Sequence, residues 1–334
     1  MSALLQATDK GLYCLQGDFH VDPWQPVARA VITHGHADHV LAGCGAYLTT
    51  ETGALVLKER LGADAKVEAC KYADPLAMND VRVSLHPAGH MLGSAQVRIE
   101  SNGNVWVVSG DYKMEADGTC DPFEPVRCNV FITEATYALP IYHWPLQHVI
   151  FEEIHEWWRR NQASGVTSVL FAYAVGKAQR LLFGLDPSIG PILVHGGVAR
   201  YSSVYEAAGV RLAPAHHAEP ERVKSTHGRA LIIAPPSTAG SPWLRKFAPY
   251  STAFASGWMR IQGIRRRKVL DRGFVLSDHA DWPGLLSAIE ATRAETVGAH
   301  HGYAAPLARW LQERGKEAFI LPSPHKSEER DRED

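Results

Sequence analysis

Two patterns in the 334-residue chain predict an α/β protein built in two parts. Residues 1–140 are dominated by short apolar runs with period-two alternation, such as Val81-Arg-Val-Ser-Leu-His86. From Leu146 onward, strand-like runs alternate with helical stretches, the pattern of a parallel sheet covered by helices. A third observation is chemical. The β-branched run Val31-Ile32 reads as a buried strand, and it ends in His34-Gly-His36-Ala-Asp38-His39. Imidazole is a good ligand for zinc and its neighbours, and carboxylate suits harder divalent ions. His34 and His36, two apart, can converge on one ion, and Asp38 and His39 can point to a second. A chance surface cluster is the bland alternative, but four ligand-type side chains directly behind a buried strand fit it poorly.

Composition narrows the class. The length suits two domains, or one carrying a large insertion. With 46% hydrophobic and 21% charged residues the chain has an ordinary globular composition and ample core. Net charge is −2, so any nucleic-acid contact must come from local basic patches rather than bulk charge. Seventeen histidines agree with a metal enzyme without establishing one. Five cysteines, odd in number and without C-x-x-C spacing, argue against a disulfide framework or zinc ribbon and for a reducing compartment. Met1-Ser-Ala-Leu-Leu-Gln has no signal-peptide pattern, and no apolar run approaches the ~18 residues of a membrane span. The expectation is a cytoplasmic protein with no membrane partner.

The elements follow in order. Residues 11–22 read as two strands around Gly17-Asp18, with Pro23 ending the second just after Asp22. Tyr47-Leu-Thr-Thr50 reads as a strand and residues 52–61 as a helix. After the strand at 81–86, Ala88-Gly-His90-Met-Leu-Gly93-Ser94 breaks the pattern with two glycines around one histidine, and glycine lets backbone approach a site closely. Ala95–Ile99 and Val105–Ser109 are further strands, the second running into Gly110-Asp111. Val130–Thr133 is a strand ending in Glu134. Leu146 to Asn161 reads as an amphipathic helix with Leu146, Ile150, Ile154 and Trp157 on one face. Strand–helix units begin at Ser168 and Pro191, further strands at Arg229 and Ser251, and the basic run Arg265-Arg266-Arg267-Lys268 follows. Phe274 to His279 is expected as a strand ending in a histidine, followed by a helix at 282–292, a strand at 295–300 and a last helix opened by His301-Gly302. The tail, His325 to Asp334, is charged, lacks an apolar period and is expected to be disordered.

These motifs resemble those of a known group. His34-x-His36-x-Asp38-His39 resembles the signature of the metallo-β-lactamase superfamily, and His90 and Asp111 match its third and fourth metal motifs in order. Thr133-Glu134-Ala-Thr-Tyr137, Leu276-Ser277-Asp-His279-Ala-Asp281 and Ala299-His300-His301-Gly302 resemble the later motifs of the β-CASP nucleases. Gly176-Lys177-Ala-Gln-Arg180 and Ala255-Ser256-Gly257-Trp258-Met259 resemble two signatures of that group's inserted cassette. Over residues 11–322 the detail is most similar to the bacterial ligase-associated DNA exonucleases.

The resemblance implies a metallo-β-lactamase αββα sandwich, residues 1–140 and 273–324, with an inserted β-CASP α/β domain at 141–272 and the active site between them. It implies two divalent ions, zinc and/or manganese. His34, His36 and His90 would hold one, Asp38, His39 and His301 the other, with Asp111 bridging. His300 beside His301 leaves that ligand choice open, and Glu134 stands where some relatives use aspartate. Asp22 matches the aspartate that supports the ligands from behind, with Asp18 the weaker candidate. Asp38 would orient the attacking water, and His279, poised by Glu134, would protonate the leaving oxygen. Lys177, Arg180, Arg265, Arg266 and Arg267, with Ser256, Gly257 and Ser277, are candidates for substrate contact. Tyr137 and Trp258 could stack bases, although core packing suits each better. The expected function is DNA exonuclease action in repair, with DNA as substrate and an ATP-dependent DNA ligase or other repair proteins as partners. An RNA exonuclease is the rival reading. A small-molecule metallohydrolase is disfavoured by the inserted cassette and His279, and a degenerate scaffold by the complete ligand set.

Overall fold

The structure, a computed structural model, describes residues 3–261 and 270–322. The chain divides into two compact units: Met1–His143 together with the chain from His279, and Trp144–Asp278. The basic run 265–268 and the tail expected to be disordered, 325–334, lie outside the described residues.

The first unit holds two mixed sheets. One runs in the order β1 (Gln6–Thr8), β2 (Gly11–Cys14), β3 (Phe19–Val21), β4 (Arg29–Val31), β5 (Ala46–Thr50) and β6 (Val67–Cys70). The other comprises β7 (Leu76–Met78), β8 (Val81–Pro87), β9 (Ala95–Ser101), β10 (Asn104–Val108), β11 (Val130–Glu134), β18 (Thr296–His300) and β19 (Glu317–Ile320), in the order β19-β18-β11-β10-β9-β8-β7. Successive apolar residues such as Val31-Ile32, Tyr47-Leu48 and Phe131-Ile132 point to opposite sides and give each sheet two apolar faces. Phe19, Val21, Val31 and Leu48 of the first sheet meet Val83, Leu85, Val97 and Ile132 of the second in one buried cluster. Ile32 and Tyr47 pack on the far side against Leu57 of helix α1 (Glu51–Leu61). On the second sheet's other face, Phe131 and Val297 pack against Leu285 and Ile289 of one helix (Trp282–Thr292) and Leu307 and Leu311 of another (Ala304–Gln312). The layers run helix, sheet, sheet, helix. Each such large aliphatic or aromatic side chain contributes roughly 1.5–3 kcal/mol on burial.

The second unit is a six-stranded, all-parallel sheet in the order β14 (Ala215–His217), β13 (Ile192–Val194), β15 (Leu231–Ala234), β12 (Thr167–Phe171), β16 (Tyr250–Ala255), β17 (Arg272–Phe274). Helix α2 (Gln147–Ala163) buries Ile150, Ile154, Trp157 and Trp158, the face its apolar period marks apart from Leu146, which lies outside the helix and exposed. α3 (Lys177–Gly184) and α4 (Gly196–Ala207) follow β12 and β13.

One expected element ends early. β17 stops at Phe274, and residues 275–279 are irregular. The Leu276 and Ser277 carbonyls are not used in a strand ladder. They accept hydrogen bonds from Lys177 Nζ (2.8 Å) and Arg180 Nη1 (2.5 Å). No helix among the described residues is long and apolar enough to cross a membrane.

Candidate metal centre

The centre is built from residues of the first unit. The strand β4 carries its buried run on to Ile32 and Thr33, and the loop beyond turns His34, His36, Asp38 and His39 onto one edge of the two sheets. His90 arrives from the loop after β8, Asp111 from the loop after β10 and Glu134 from the end of β11. Gly110 precedes Asp111 at φ +58°, and a Cβ there would lie 2.6 Å from Thr33, so only glycine lets the two loops close up.

Hydrogen bonds fix the tautomers. Asp22 accepts the Thr33 amide (2.8 Å) and the Thr33 hydroxyl (2.5 Å), and it also accepts from His39 Nδ1 (2.7 Å). The single Thr33 hydroxyl proton thus goes to Asp22, and the Thr33 oxygen, 3.0 Å from His34 Nδ1, accepts from that nitrogen. Nε2 of His34 is left with its lone pair. It faces His36 Nδ1 at 3.1 Å, and His90 Nε2 faces the same His36 nitrogen at 3.0 Å. Donor atoms of His34, His36, His90 and Asp111 all lie within 4.8 Å of one another. Three imidazole nitrogens and a carboxylate converging in this way fit a divalent transition metal.

A second group adjoins the first. His39 Nε2 is buried and has no hydrogen-bond partner among the described residues. It faces the carboxylates of Asp38 at 3.6 Å and Asp111 at 3.5 Å, too far for good hydrogen bonds. The His301 ring lies 5.7 Å from the His39 ring, and His301, Asp38, His39, Asp22 and His300 line one cleft. An orphaned imidazole nitrogen between two carboxylates also fits a cation. His300 is the buried last residue of β18, whereas His301 turns off the strand at φ +61°. Gly302 follows at φ +44°, and a Cβ there would come within 2.5 Å of the Ala135 carbonyl.

The field at the two histidines has opposite signs. Burial, then the imidazoles of His39 and His90, hold His34 well below the ordinary histidine range, so it stays neutral and ligand-ready. Burial also disfavours charge on His39, but the carboxylates of Asp38, Asp111 and Asp22 outweigh it and hold that ring well above the ordinary range.

His279 stands beside this cluster. Its Nδ1 donates to Glu134 Oε2 at 2.8 Å, while Glu134 Oε1 accepts the Tyr112 amide at 2.8 Å. Its side chain is 19% exposed, against 0% for Glu134. Asp111, Glu134 and His279 also form a group of potential ligands, but the 2.8 Å bond already occupies Nδ1.

The expected substrate contacts in the second unit need correction. Lys177 is 3% exposed and Arg180 2%. Lys177 pairs with Asp278 at 2.9 Å, Arg180 pairs with the same carboxylate at 2.9 Å, and Arg180 Nε donates to Gln147 (2.7 Å). Both cations clamp the segment 276–278 instead of facing solvent. Ser256, Gly257 and Ser277 are buried as well, and Ser256 caps the turn at Gly257–Arg260. Tyr137 is 3% exposed, so its ring does not lie open to a base, and Trp258 is half-buried against the second unit's core. Arg265, Arg266 and Arg267 lie outside the described residues. Sequence reasoning missed Thr33, whose only signal is its place directly before His34, and Asp278, which is masked by the stronger histidine next to it.

A His/Asp cluster at the strand ends of a layered α/β unit offers a site for a divalent metal. Comparison with known proteins carries this further. No family model matches the chain. A protein named "Probable DNA ligase" from Opitutus terrae is 31% identical over 314 residues, which cover 93% of this chain and 30% of that protein. "Endoribonuclease YSH1" from Gibberella zeae is 30% identical over 161 residues, covering 44% of this chain and 18% of that one. A crystal structure of a protein of unknown function from Enterococcus faecalis V583 superposes with a TM-score of 0.62 at 11% identity, covering 89% of this chain and 80% of that one, a likeness of fold. The chain thus spans less than a third of the length of these two sequence relatives. It belongs to the metallo-β-lactamase/β-CASP family.

Proposed function

We propose that this chain is a metal-dependent DNA exonuclease that processes ends in DNA repair, beside or joined to an ATP-dependent DNA ligase. The observation that carries the reading is the juxtaposition of two donor groups, sharing Asp111, with the Glu134–His279 pair. DNA is favoured over RNA by extent: the likeness to the protein named a DNA ligase runs through 93% of this chain, and that to the endoribonuclease through 44%. The Trp144–Asp278 unit, which interrupts the first in sequence, is read as the inserted β-CASP cassette.

His34, His36 and His90 would hold one ion, zinc or manganese, and Asp38, His39 and His301 a second, with Asp111 between. Bound ions would acidify water and neutralise charge on the scissile phosphate. Asp22 and Thr33 hold His39 and His34 in the tautomers that turn Nε2 inward. Asp38, at the rim, accepts a hydrogen bond from the attacking water and so aims its oxygen at phosphorus. As the new P–O bond forms and the P–O3′ bond breaks, His279 Nε2 gives its proton to the departing 3′-oxygen. Glu134 keeps Nδ1 engaged, so Nε2 is the nitrogen presented.

The test is an assay with matched end-labelled DNA and RNA strands, supplying zinc and manganese in turn. Stepwise shortening of DNA alone is expected. Preferential shortening of RNA would overturn the DNA assignment and favour the ribonuclease reading.

A further inference from the structure

We infer that Tyr137 is a positioning residue for His279, and that Tyr142 and Tyr303 tie it to the loop carrying His301. The inference rests on the reading of His279 as the proton donor.

A ring held by one hydrogen bond can still swing about that bond. Glu134 fixes His279 Nδ1 at 2.8 Å, and a second contact off that axis is needed to set the direction of Nε2. The His90 ring, 4.8 Å away at 56°, gives one such contact, and Tyr137 supplies another, edge-on, with ring centroids 5.8 Å apart at 69°. This is a favoured aromatic geometry, and such pairs are specific in orientation. Tyr137 follows Glu134 by three residues, so these two restraints on His279 descend from the end of the same strand.

Tyr137 is itself braced. Tyr142, fully buried, meets it edge-on at 4.8 Å and 67°. The Tyr142 hydroxyl lies 3.3 Å from that of Tyr303, and the Tyr142 carbonyl accepts the Trp282 amide at 3.1 Å, three residues beyond His279. Tyr303 stands two residues after His301, and its amide donates to the Ala135 carbonyl at 2.7 Å. One aromatic row thus joins the segment of Glu134, the segment of His279 and the loop of His301, all inside the first unit.

The experiment measures Tyr137→Leu, Tyr137→Phe, His279→Ala and the Leu/Ala double variant on two substrates, a DNA strand and a p-nitrophenyl phosphodiester whose leaving group needs no proton. Metal content is measured alongside. Tyr137→Leu is expected to keep its metal and lose up to about 100-fold in kcat on DNA, the scale of a small misplacement of a catalytic group. It should lose far less on the p-nitrophenyl ester and nothing further in the His279→Ala background. Tyr137→Phe, which restores the ring, should recover the rate to within a few-fold. Equal losses on both substrates, or a loss that persists without His279, would overturn the inference while leaving the donor reading intact. If His279→Ala itself is equally impaired on both substrates, the donor reading fails and takes the inference with it. Should Tyr137→Leu not fold, Tyr303→Ala at its half-buried position serves instead. It should show the same substrate selectivity at smaller size, and wild-type rates on DNA would overturn the row.

Discussion

His36 Nδ1 is the atom on which His34 and His90 both converge, within 3.1 Å. Removing it opens the first donor group at its centre, and the remaining donors cannot close around an ion alone. His36→Ala is therefore expected to lose at least one metal ion and all nuclease activity. Metal analysis of the purified variant reads this directly, and an unchanged ion count would sink the ligand assignment. His279 is different, because its bond goes to Glu134 and it is partly open to solvent. His279→Ala should keep its metal and bind DNA, yet cut about 10²–10⁴-fold more slowly, as loss of a general acid typically does. The rival assignment makes His279 the ligand and His301 the donor. It requires metal loss from His279→Ala instead, so metal content decides.

At the scale of elements, the clamp around Asp278 is the feature whose disruption should be felt most. Asp278 pairs with both Lys177 and Arg180, and all three are buried. Asp278→Ala would remove the carboxylate with which both buried cations pair, and breaking a buried pair by removing one partner costs about 3–5 kcal/mol. Urea denaturation should show that loss, and amide exchange in α3 should accelerate. A change below about 0.5 kcal/mol, the level of an ordinary surface substitution, would mean the charges find other partners. The cysteines report on other elements. Burial pushes the Cys70 thiol up to about 11 and Cys128 up to about 12, and it raises Cys14 as well. A raised thiol value keeps the sulfur protonated at pH 8, and the thiolate is the reactive form. Alkylation at pH 8 should thus label the half-buried Cys44 and Cys120 well before the other three, with mass spectrometry as the readout. Early labelling of Cys128 would contradict the packing around β11.

The same elements show what a sequence discloses. Strands such as β8 and β9 and the helix α2 were legible because they are long enough to display a period. β1, β7 and β14 were not, since three residues carry no period. In the site, the four ligand-type residues of one short motif could be read from spacing alone. His90, Asp111, Glu134, His279 and His301 come from separate parts of the chain and were legible only through resemblance to a family. Lys177 and Arg180 were misread because a basic residue near a glycine looks the same in sequence whether it faces a phosphate or a buried carboxylate. Only tertiary packing, which brings Asp278 to them from about a hundred residues away in the chain, distinguishes the two.

The largest scale concerns how one chain makes two units. The first is discontinuous in sequence, the second a single stretch, Trp144–Asp278. Where the chain leaves the first unit and where it returns, the backbone is already joined: the Tyr142 carbonyl accepts the Trp282 amide at 3.1 Å. Closing that gap with a short Gly/Ser linker therefore carries only the small entropy of a short loop. Every proposed metal ligand, and the Glu134–His279 pair, lies on the first-unit side of the cut. The second unit has its own core, in which Val169, Phe171, Leu193, Ile232 and Phe254 meet across its sheet. A variant in which the linker replaces residues 144–278 is accordingly expected to fold and to bind metal in the same amount as the full chain. Circular dichroism and metal analysis of the purified variant would check both. If the shortened chain is soluble and folded but holds no metal, the centre depends on residues beyond those assigned here, and the ligand set must be redrawn.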